Sequence, residues 1–379
     1  MALESRLVAQ GPRKLLAIDG GGIRGLIALG VLAEIERLLR AQSGADDAFV
    51  LADYFDYTAG TSTGALIAAS LALGFSVERV QRLYTMHAGA IFHPARLRER
   101  LRNRYSSDAL AALLQEEYGA DTELGSTRLR TLLLLMLRNA STNSPWPVSN
   151  NPDALFNQPD LPDCNLRFPL WQLVRASTAA PMFFPPEVID VGGREHVFVD
   201  GGLTPYNNPA FQLFLMATAE PYRLNWPTGE DQLLLVSLGT GLNPRTNAHL
   251  SPAQMGVMYN AANVPAALIS AAMYQQDLLC RLFGTCLIGD RLDSEVGDMI
   301  GIRGPVTPKI FTYLRYDTEL SPPSLARLGL GHIPVEQIIR LDAIKHMPAF
   351  QAIGTALAKQ VRLEHFAGFP PSGSAAARH

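Results

Sequence analysis

The sequence is poor in cysteine, and the few cysteines present form no recognisable pattern. Three of the 379 residues are cysteines, Cys164, Cys280 and Cys286, and neither their odd number nor their spacing fits a metal site. Such usage is typical of a reducing compartment, in which cysteines serve as small buried apolar groups. The sequence therefore predicts no bound metal ion.

Long apolar runs are also missing, and we expect no leader. The apolar segments Leu132–Leu137 and Ala65–Gly74 are much shorter than the roughly 20 residues that a membrane-spanning helix requires. Residues 1–11 are mixed and partly polar, unlike a secretory signal peptide. We therefore expect a soluble protein of the cytoplasm.

Charge of either sign is nearly balanced. The chain has 32 basic and 35 acidic residues, a net charge of −3, which gives no reason to expect a nucleic acid polymer as partner. Residues 96–104 are a local exception, because they carry five arginines and one glutamate. This segment, expected to be helical, either contacts anionic headgroups or is a solvated face, and solvated faces are the commoner case.

One serine stands between two glycines in Gly60-Thr61-Ser62-Thr63-Gly64. Residues Tyr54–Ala59 predict a short buried strand before it, and Ala65–Leu73 predict a helix after it. In such an elbow the glycines allow a strained turn, and the hydroxyl lies at a helix N-terminus, where the dipole favours an alkoxide. Ser62 is therefore a candidate nucleophile, although the pattern also occurs in ordinary glycine-rich turns.

A second glycine-rich turn joins a predicted strand, Lys14–Ile18, to a predicted helix, Leu26–Leu39. It reads Asp19-Gly20-Gly21-Gly22-Ile23-Arg24-Gly25. Such a turn can aim several backbone N–H groups at a negative charge. The ligand could be an oxyanion, or a pyrophosphate, because Gly20-x-Gly22-x-x-Gly25 also fits the dinucleotide fingerprint. A turn that merely packs is the third interpretation.

Three features count against a nucleotide at this turn, one of which is that no later segment resembles a nicotinamide site. Asp19 would face the pyrophosphate, and no acidic ribose partner follows a clear second strand. A P-loop is excluded because Leu26 occupies the position that requires lysine.

The third candidate group is a carboxylate. Residues Val197–Asp200 predict an apolar strand that ends in an aspartate, and Gly201 and Gly202 follow it. Asp200 could act in acid–base chemistry or could be a simple turn residue, since Asp-Gly is a common turn dipeptide. Asn207-Asn208-Pro209 is typical of the start of a helix.

Taken in this order, DGGGIRG, GTSTG and DGG followed by NNP, the chain resembles the patatin-like phospholipase family. The resemblance includes Arg175–Phe184 and Ser237–Gly241, and it extends from about Lys14 to Gly241. It implies an α/β fold, a three-layer α/β/α sandwich around a mostly parallel central sheet. It also implies a lipid acyl hydrolase, of phospholipase A or lysophospholipase type, that needs no cofactor.

The resemblance assigns roles to individual residues. Ser62 matches the nucleophile of a Ser-Asp dyad that works through an acyl-enzyme, and Asp200 matches its general base. Gly20, Gly21 and Gly22 match the oxyanion hole, and the remaining motif positions are Arg24, Gly25, Gly60, Gly64, Gly201 and Gly202. A free aspartate with a pKa of about 3.9 is a weak base. Burial beside Val197, Phe198 and Val199 is therefore expected to raise the pKa of Asp200.

Three alternatives stay open. A Ser-His-Asp esterase would need a histidine after Asp200, and the candidates, none with a signature, are His249, His332, His346 and His365. A nucleotide-dependent enzyme would use the GxGxxG-like loop. A binding or scaffolding protein would have the same fold and an idle site.

The motifs divide the chain into three parts. Residues 14–241 are the predicted catalytic core, 242–366 a continuation or regulatory extension of the same domain, and 367–379 a disordered tail. Within these parts the sequence predicts a surface excursion at Ser144–Pro169, a helix at Val257–Phe283 and a strand at Ile310–Leu314.

The resemblance also implies where the protein acts and on what. The expected substrate is a membrane phospholipid or lysophospholipid, reached by peripheral contact of a cytoplasmic protein with the membrane surface. Some bacterial proteins that resemble patatin are effectors switched on by a cyclic nucleotide. The segment after Gly241 leaves room for such control, although no residue in it points to that ligand.

Overall fold

The computed structural model describes residues 3–8, 11–44, 48–91, 105–243 and 251–371. The basic segment 96–104 and His249 lie outside the described residues. The strands within these ranges are β1 (Arg13–Ile18), β2 (Tyr57–Thr61), β3 (Leu132–Asn139), β4 (Ser144–Ser149), β5 (Glu187–Asp190), β6 (Glu195–Asp200), β7 (Leu233–Leu238), β8 (Thr285–Ile288) and β9 (Thr312–Tyr316).

Helices surround these strands. Those in the described ranges are α1 (Leu3–Val8), α2 (Gly25–Ser43), α3 (Thr63–Ala72), α4 (Val77–Ile91), α5 (Asp108–Tyr118), α6 (Leu170–Ser177), α7 (Ala210–Thr218), α8 (Val257–Phe283), α9 (Pro322–Arg327), α10 (Val335–Ile338) and α11 (Met347–Ala358). None of them combines the length and the apolar character that crossing a bilayer requires.

The strands form one mixed sheet in the order β5-β6-β3-β2-β1-β7-β9-β8, with β4 also paired to β3. The six strands β3, β2, β1, β7, β9 and β8 are parallel to one another. Strands β4 and β6 each pair antiparallel with β3, and β5 pairs antiparallel with β6. Parallel strands need both faces covered, which explains the continuous apolar runs of β1, β3 and β7.

The sheet is covered by helices on both faces. Successive side chains of a strand point to opposite faces, so Leu16 and Ile18 of β1 belong to one core and Leu15 and Ala17 to the other. Helices α2 to α6 and α11 cover the first face, and α1, α7 and the C-terminal part of α8 cover the second. The predicted α/β/α sandwich with a mostly parallel sheet is confirmed.

Residues after Gly241 contribute to this sheet and to its helical layers. Strands β8 and β9 extend the sheet beyond β7. Helix α11 packs against α2 so closely that a Cβ atom on Gly30 would lie 2.7 Å from the Cα atom of Gly354. The predicted helix Val257–Phe283 is present with the same bounds, and the strand predicted at Ile310–Leu314 is shifted to Thr312–Tyr316.

Other local predictions need correction. The strand predicted from Tyr54 begins only at Tyr57, because Leu51–Asp53 form a 3₁₀ turn. The segment predicted as a surface excursion contains β4, which pairs with β3. Within the predicted tail, Phe369 is buried and its carbonyl accepts a hydrogen bond from the Tyr54 hydroxyl at 2.7 Å.

Candidate active site

Strand β3 brings the candidate nucleophile and base together. Thr61, the last residue of β2, pairs with Met136, and Asp200, the last residue of β6, pairs with Leu137. Since β2 runs parallel and β6 antiparallel to β3, the C-terminal ends of β2 and β6 meet. Ser62 follows Thr61 directly, so it emerges next to Asp200.

The backbone at Ser62 makes a sharp turn from β2 into α3. Ser62 has φ +55°, in the left-handed region that costs energy for a residue with a side chain. The turn is so tight that a Cβ atom on Gly60 would collide with the carbonyl of Gly64, and one on Gly64 with the carbonyl of Ile18. These contacts explain why both flanking positions are glycine.

The Ser62 hydroxyl donates a hydrogen bond to Asp200 Oδ2 at 2.6 Å. The other carboxylate oxygen, Oδ1, accepts the Gly202 N–H at 2.7 Å. Burial raises the pKa of Asp200 to about 6, against the opposing effects of these two bonds and of the positive charge of Arg175. The carboxylate is therefore a stronger base than a free aspartate. Of its expected apolar neighbours, Phe198 and Val199 are buried, whereas Val197 is exposed.

Ser177 supports the turn from below. Its hydroxyl accepts the Ser62 N–H at 2.9 Å and donates to the carbonyl of Met136 at 2.7 Å. Because the Ser177 hydroxyl donates its proton to the Met136 carbonyl, it stabilises the turn at Ser62 and does not donate to Asp200. Its sequence signal was its place in the Arg175–Phe184 segment.

The glycine-rich loop lies beside the same serine. The Gly20 amide donates to the carbonyl of Asn207 at 3.0 Å and is therefore occupied. Within the described part of the chain, the Gly21 and Gly22 amides donate no hydrogen bond. A Cβ atom on Gly20 would lie 3.3 Å from the Cβ of Ser62. Gly21 and Gly22 line the same cavity as Ser62, so the loop presents there two N–H donors without a partner among the described residues.

Two contacts from elsewhere in the chain hold this loop. The Ile23 N–H donates to the carbonyl of Leu341 at 3.0 Å, and the same carbonyl occupies the space that a Cβ atom on Gly22 would need. The Thr240 hydroxyl donates to the Gly20 carbonyl at 2.8 Å. Sequence reasoning could not have found Leu341, because a backbone contact carries no residue signature.

Arg24 places a positive charge next to the loop. Its side chain is buried, its Nε donates weakly to the Gly21 carbonyl at 3.4 Å, and its Nη1 has no partner among the described residues. Burial lowers the pKa of Arg24 to about 10, and the charge of Asp317 opposes this effect. The guanidinium therefore stays protonated at neutral pH.

A buried ionic network fixes the residue that precedes the glycines. Arg315 donates to both oxygens of Asp19, at 3.0 and 2.6 Å, and to Asp317 at 2.7 Å. Asp317 in turn accepts the Gly241 N–H at 3.0 Å. Burial raises the pKa of Asp19, and the charge of Arg315 opposes the rise. This network ties the glycine loop to the ends of β7 and β9.

Sequence reasoning missed Arg315 and Asp317. The only signal in the sequence is a pair of charged residues in the part of the chain after Gly241, which carries no motif. One lies within a short apolar strand and the other just after it. In the sequence, the position of Asp19 indicates only that a pyrophosphate is disfavoured at the glycine-rich turn. In the structure its buried carboxylate accepts hydrogen bonds from Arg315 at the C-terminal end of β1.

Replacing Arg315 with methionine is expected to destabilise the fold by about 3 to 5 kcal/mol, because Asp19 and Asp317 would remain buried without their counter-charge. Urea denaturation measures this loss. Arg327→Met is the matched control, because Arg327 is 3.6 Å from Asp290 on the surface, and exposed pairs contribute less than about 1 kcal/mol. Similar losses for both variants would contradict a special role for the buried network.

Ser62, Asp200 and the glycines Gly20 to Gly22 line one cavity of about 920 Å³. Its walls are mainly apolar and include Leu66, Leu83, Leu114, Phe183 and Met273. No histidine of the described residues lines it. His365 instead contacts the Tyr316 hydroxyl, with 2.7 Å between Nδ1 and the oxygen. The described residues also contain no cluster of histidine, cysteine and carboxylate groups able to hold a metal ion.

A serine bonded to a buried carboxylate, beside free amides, is an arrangement suited to nucleophilic acyl transfer. The family model described as patatin-like phospholipase matches residues 16–214, more than half of the chain. The chain belongs to the patatin-like phospholipase family, and the membership predicted from its motifs is confirmed.

Individual relatives come from animals, bacteria and plants. An "Intracellular phospholipase A2" of Caenorhabditis elegans is 33% identical over 61% of this chain and 20% of the relative. A "cGAMP-activated phospholipase" of Vibrio cholerae is 32% identical over 52% of this chain and 56% of the relative. "Patatin-17" of Solanum cardiophyllum is 31% identical over 60% of each chain. The matches thus span one fifth to three fifths of the length of these relatives.

Proposed function

We propose that this protein is a lipid acyl hydrolase that cleaves carboxylic ester bonds of membrane phospholipids or lysophospholipids. The observation that carries the proposal is the 2.6 Å hydrogen bond from Ser62 to Asp200 at the wall of a large apolar cavity. Family membership supports the same chemistry. Ser62 acts as nucleophile and Asp200 as general base.

The reaction proceeds in two steps. Asp200 takes the Ser62 proton while Oγ attacks the ester carbonyl, and the tetrahedral oxyanion receives hydrogen bonds from the Gly21 and Gly22 amides. The carbon–oxygen bond to the leaving alcohol then breaks, and the alcohol departs with the proton from Asp200. Water, deprotonated by Asp200, attacks the acyl-enzyme and releases the fatty acid, and the proton returns to Ser62.

The glycine loop contributes as much to this scheme as the serine does. Removing one oxyanion donor typically lowers turnover by about 100- to 1000-fold. Because the Gly20 amide is already bonded to Asn207, we assign the oxyanion to Gly21 and Gly22. Gly20 contributes through its missing side chain, which lets the loop approach Ser62.

The cavity favours an acyl chain over a nucleotide. Its volume of about 920 Å³ lies at the upper end of the range for small-molecule sites, and its walls offer few partners for a base or ribose. An apolar tail gains from such walls without needing hydrogen bonds. The GxGxxG-like spacing is therefore better explained by the turn itself than by a dinucleotide.

The pH dependence of hydrolysis should report the state of Asp200. Only the ionised carboxylate can accept the serine proton, so activity rises with pH up to the pKa and is lost below it. With a pKa of about 6, kcat/KM on a soluble ester should fall about tenfold per pH unit below pH 6. A midpoint near 4, the value of a free aspartate, would show that the base is another group or is not buried.

The direct test is hydrolysis of a panel of phospholipids and lysophospholipids, with fatty acid and lysolipid products identified by mass spectrometry. We expect fatty acid release by the wild type and none by Ser62→Ala. Addition of EDTA should leave turnover of a soluble short-chain ester intact, because the dyad and the amides need no metal. Folded wild-type protein that releases no product from any lipid or soluble ester would favour the idle-site alternative.

Regulation and location complete the proposal. The similarity to the Vibrio cholerae relative suggests a cyclic nucleotide as activator. Residues 242–366 are the part of the catalytic domain that we propose responds to it. The activity would be exerted at the cytoplasmic surface of a membrane. The test is to assay lipid hydrolysis with and without added cGAMP. If the protein is activated by this nucleotide, the rate of hydrolysis should rise at least several-fold.

A further inference from the structure

The N-terminal part of α8, residues Val257–Met273, is here called the uncharged arm. It contains no aspartate, glutamate, lysine or arginine. Most of its side chains are nevertheless exposed, with Val257 and Met258 each 85% and Leu268 65% exposed. Apolar helices without a charged face are normally buried. Among the described residues, nothing provides the uncharged arm with the covering that its composition requires.

The rest of α8 holds the arm in position. Arg281 Nη1 donates to the carbonyls of Asp290 and Asp298, outside the helix, at 2.8 and 2.7 Å. The Phe283 ring lies 5.7 Å from that of Phe211 in α7. The arm is the N-terminal continuation of this anchored part of the helix.

One side of the arm forms a wall of the active-site cavity. The residues that line it recur at helical spacing and are Ala261, Pro265, Ala266, Ile269, Ser270 and Met273. Val257, Val264 and Leu268 recur at intervals of seven and four, which places them together on a neighbouring, outward face. Apolar surface thus runs without a charge from the outside of the arm to the cavity that contains Ser62 and Asp200.

A second element contributes to the same apolar rim. Met182 lines the cavity and is 76% exposed. Exposed apolar surface that is continuous with a binding cavity typically marks an interaction site. Because this apolar surface borders the cavity, whatever binds to it lies at the place where a ligand enters the cavity.

We propose that the uncharged arm lies in the interface of a lipid bilayer, with its outward face among the acyl chains, and that lipid enters the cavity along it. This inference rests on the proposed function and names the partner of that site. A bilayer can cover the outward face and still supply ligand to the cavity. A second copy of the chain over the same arm would not supply the ligand.

The absence of charge on the arm specifies the kind of surface. Its binding comes from burial of apolar side chains, so it should not require anionic lipid. Binding to neutral phosphatidylcholine vesicles should also depend little on salt, because screening weakens only interactions between charges. If a basic segment such as 96–104 bound the headgroups instead, binding would require anionic lipid and would weaken as the salt concentration rises.

The experiment compares the full-length wild type with Val264→Asp/Leu268→Glu in flotation with phosphatidylcholine vesicles. We expect the variant to bind at least about tenfold more weakly, because two carboxylates would enter the apolar interface. Val257→Asp/Met258→Asp is a second, independent test on the same arm. Leu155→Glu/Phe156→Glu is the matched control, since these exposed apolar residues lie outside the cavity walls, and it should bind like the wild type.

Hydrolysis of a soluble ester separates the two proposals. Arm variants that lose vesicle binding but hydrolyse the soluble ester within about twofold of the wild type support the docking surface. Vesicle binding by both arm variants equal to that of the wild type would overturn it, even if lipid hydrolysis is observed. Light scattering that shows a wild-type dimer and monomeric arm variants would also overturn it, in favour of a second copy. Wild type that binds vesicles through the arm but hydrolyses no ester would leave the surface standing and refute the proposed activity.

Discussion

Replacing Ser62 with alanine is expected to abolish hydrolysis, with a loss of turnover on the order of 10,000-fold or more, because the nucleophile and the base act as a unit. Among the described residues, Ser62 is the only one whose side chain donates a hydrogen bond to Asp200 Oδ2. A fluorophosphonate probe should label the wild type and fail to label Ser62→Ala. The adduct should map to Ser62 by mass spectrometry.

Two other serines serve as controls for this labelling. Ser177→Ala removes the support of the Ser62 amide but not the nucleophile, so it should lower turnover and keep the label. Ser237 is buried and accepts a hydrogen bond from Arg315 at 2.7 Å, so it should remain unlabelled. An adduct on Ser177 or Ser237 would refute the assignment of Ser62.

Replacing Asp200 with asparagine is expected to remove nearly all turnover and at the same time to stabilise the fold. The amide has the shape of the carboxylate and can still accept the Gly202 N–H, but it cannot take a proton from Ser62. The loss of base function should approach that of Ser62→Ala. Turnover near the wild-type level in a folded Asp200→Asn protein would exclude the dyad.

The stabilisation follows from the pKa of Asp200. Burial raises this pKa from 3.8 to about 6, so the folded protein holds the proton more tightly than the unfolded chain. The contribution to stability is full below pH 3.8 and is lost as the pH rises through about 6. The ionised group therefore costs up to about 3 kcal/mol at neutral pH.

Thermal or urea unfolding at two pH values measures this cost. Asp200→Asn should raise the free energy of unfolding at pH 8 by up to about 3 kcal/mol, and the gain should disappear near pH 4. A loss of stability at pH 8 would show that the bonds to Ser62 and Gly202 outweigh the burial of the charge.

Histidine variants distinguish the dyad from a triad. The described histidines after Asp200 do not line the cavity, so His332→Ala, His346→Ala and His365→Ala should keep most activity on a soluble ester. His249→Ala is expected to behave in the same way. A folded variant among these four that was as inactive as Ser62→Ala would replace the dyad by a Ser-His-Asp triad.

The strand-turn-helix units around the glycines could be predicted from the sequence, because each is local. Gly60 and Gly64 mark a turn, and apolar periodicity on either side distinguishes the strand from the helix. The meeting of Ser62 and Asp200 could be expected only from the family resemblance. It depends on how β2 and β6 align along β3, and register between distant strands leaves no local signature.

The supports of the glycine loop were not predictable for the same reason. Arg315 is nearly 300 positions from Asp19 in the chain, and a buried arginine within a strand resembles a surface residue of an edge strand. The engagement of the Gly20 amide by Asn207 is likewise a backbone contact between distant segments. Sequence motifs identified the loop but not which of its donors are free.

The family match ends at residue 214, yet the loop that we propose as the oxyanion site is held by Arg315 and by the carbonyl of Leu341. A fragment cut after the last motif, near Gly241, would leave Asp19 as a buried anion without its counter-ion and Ile23 without its acceptor. We expect such a fragment not to fold. Any ligand that displaced Leu341 by even a small distance would alter the geometry at Gly22. The C-terminal third of the chain is thus mechanically connected to the first step of the proposed reaction.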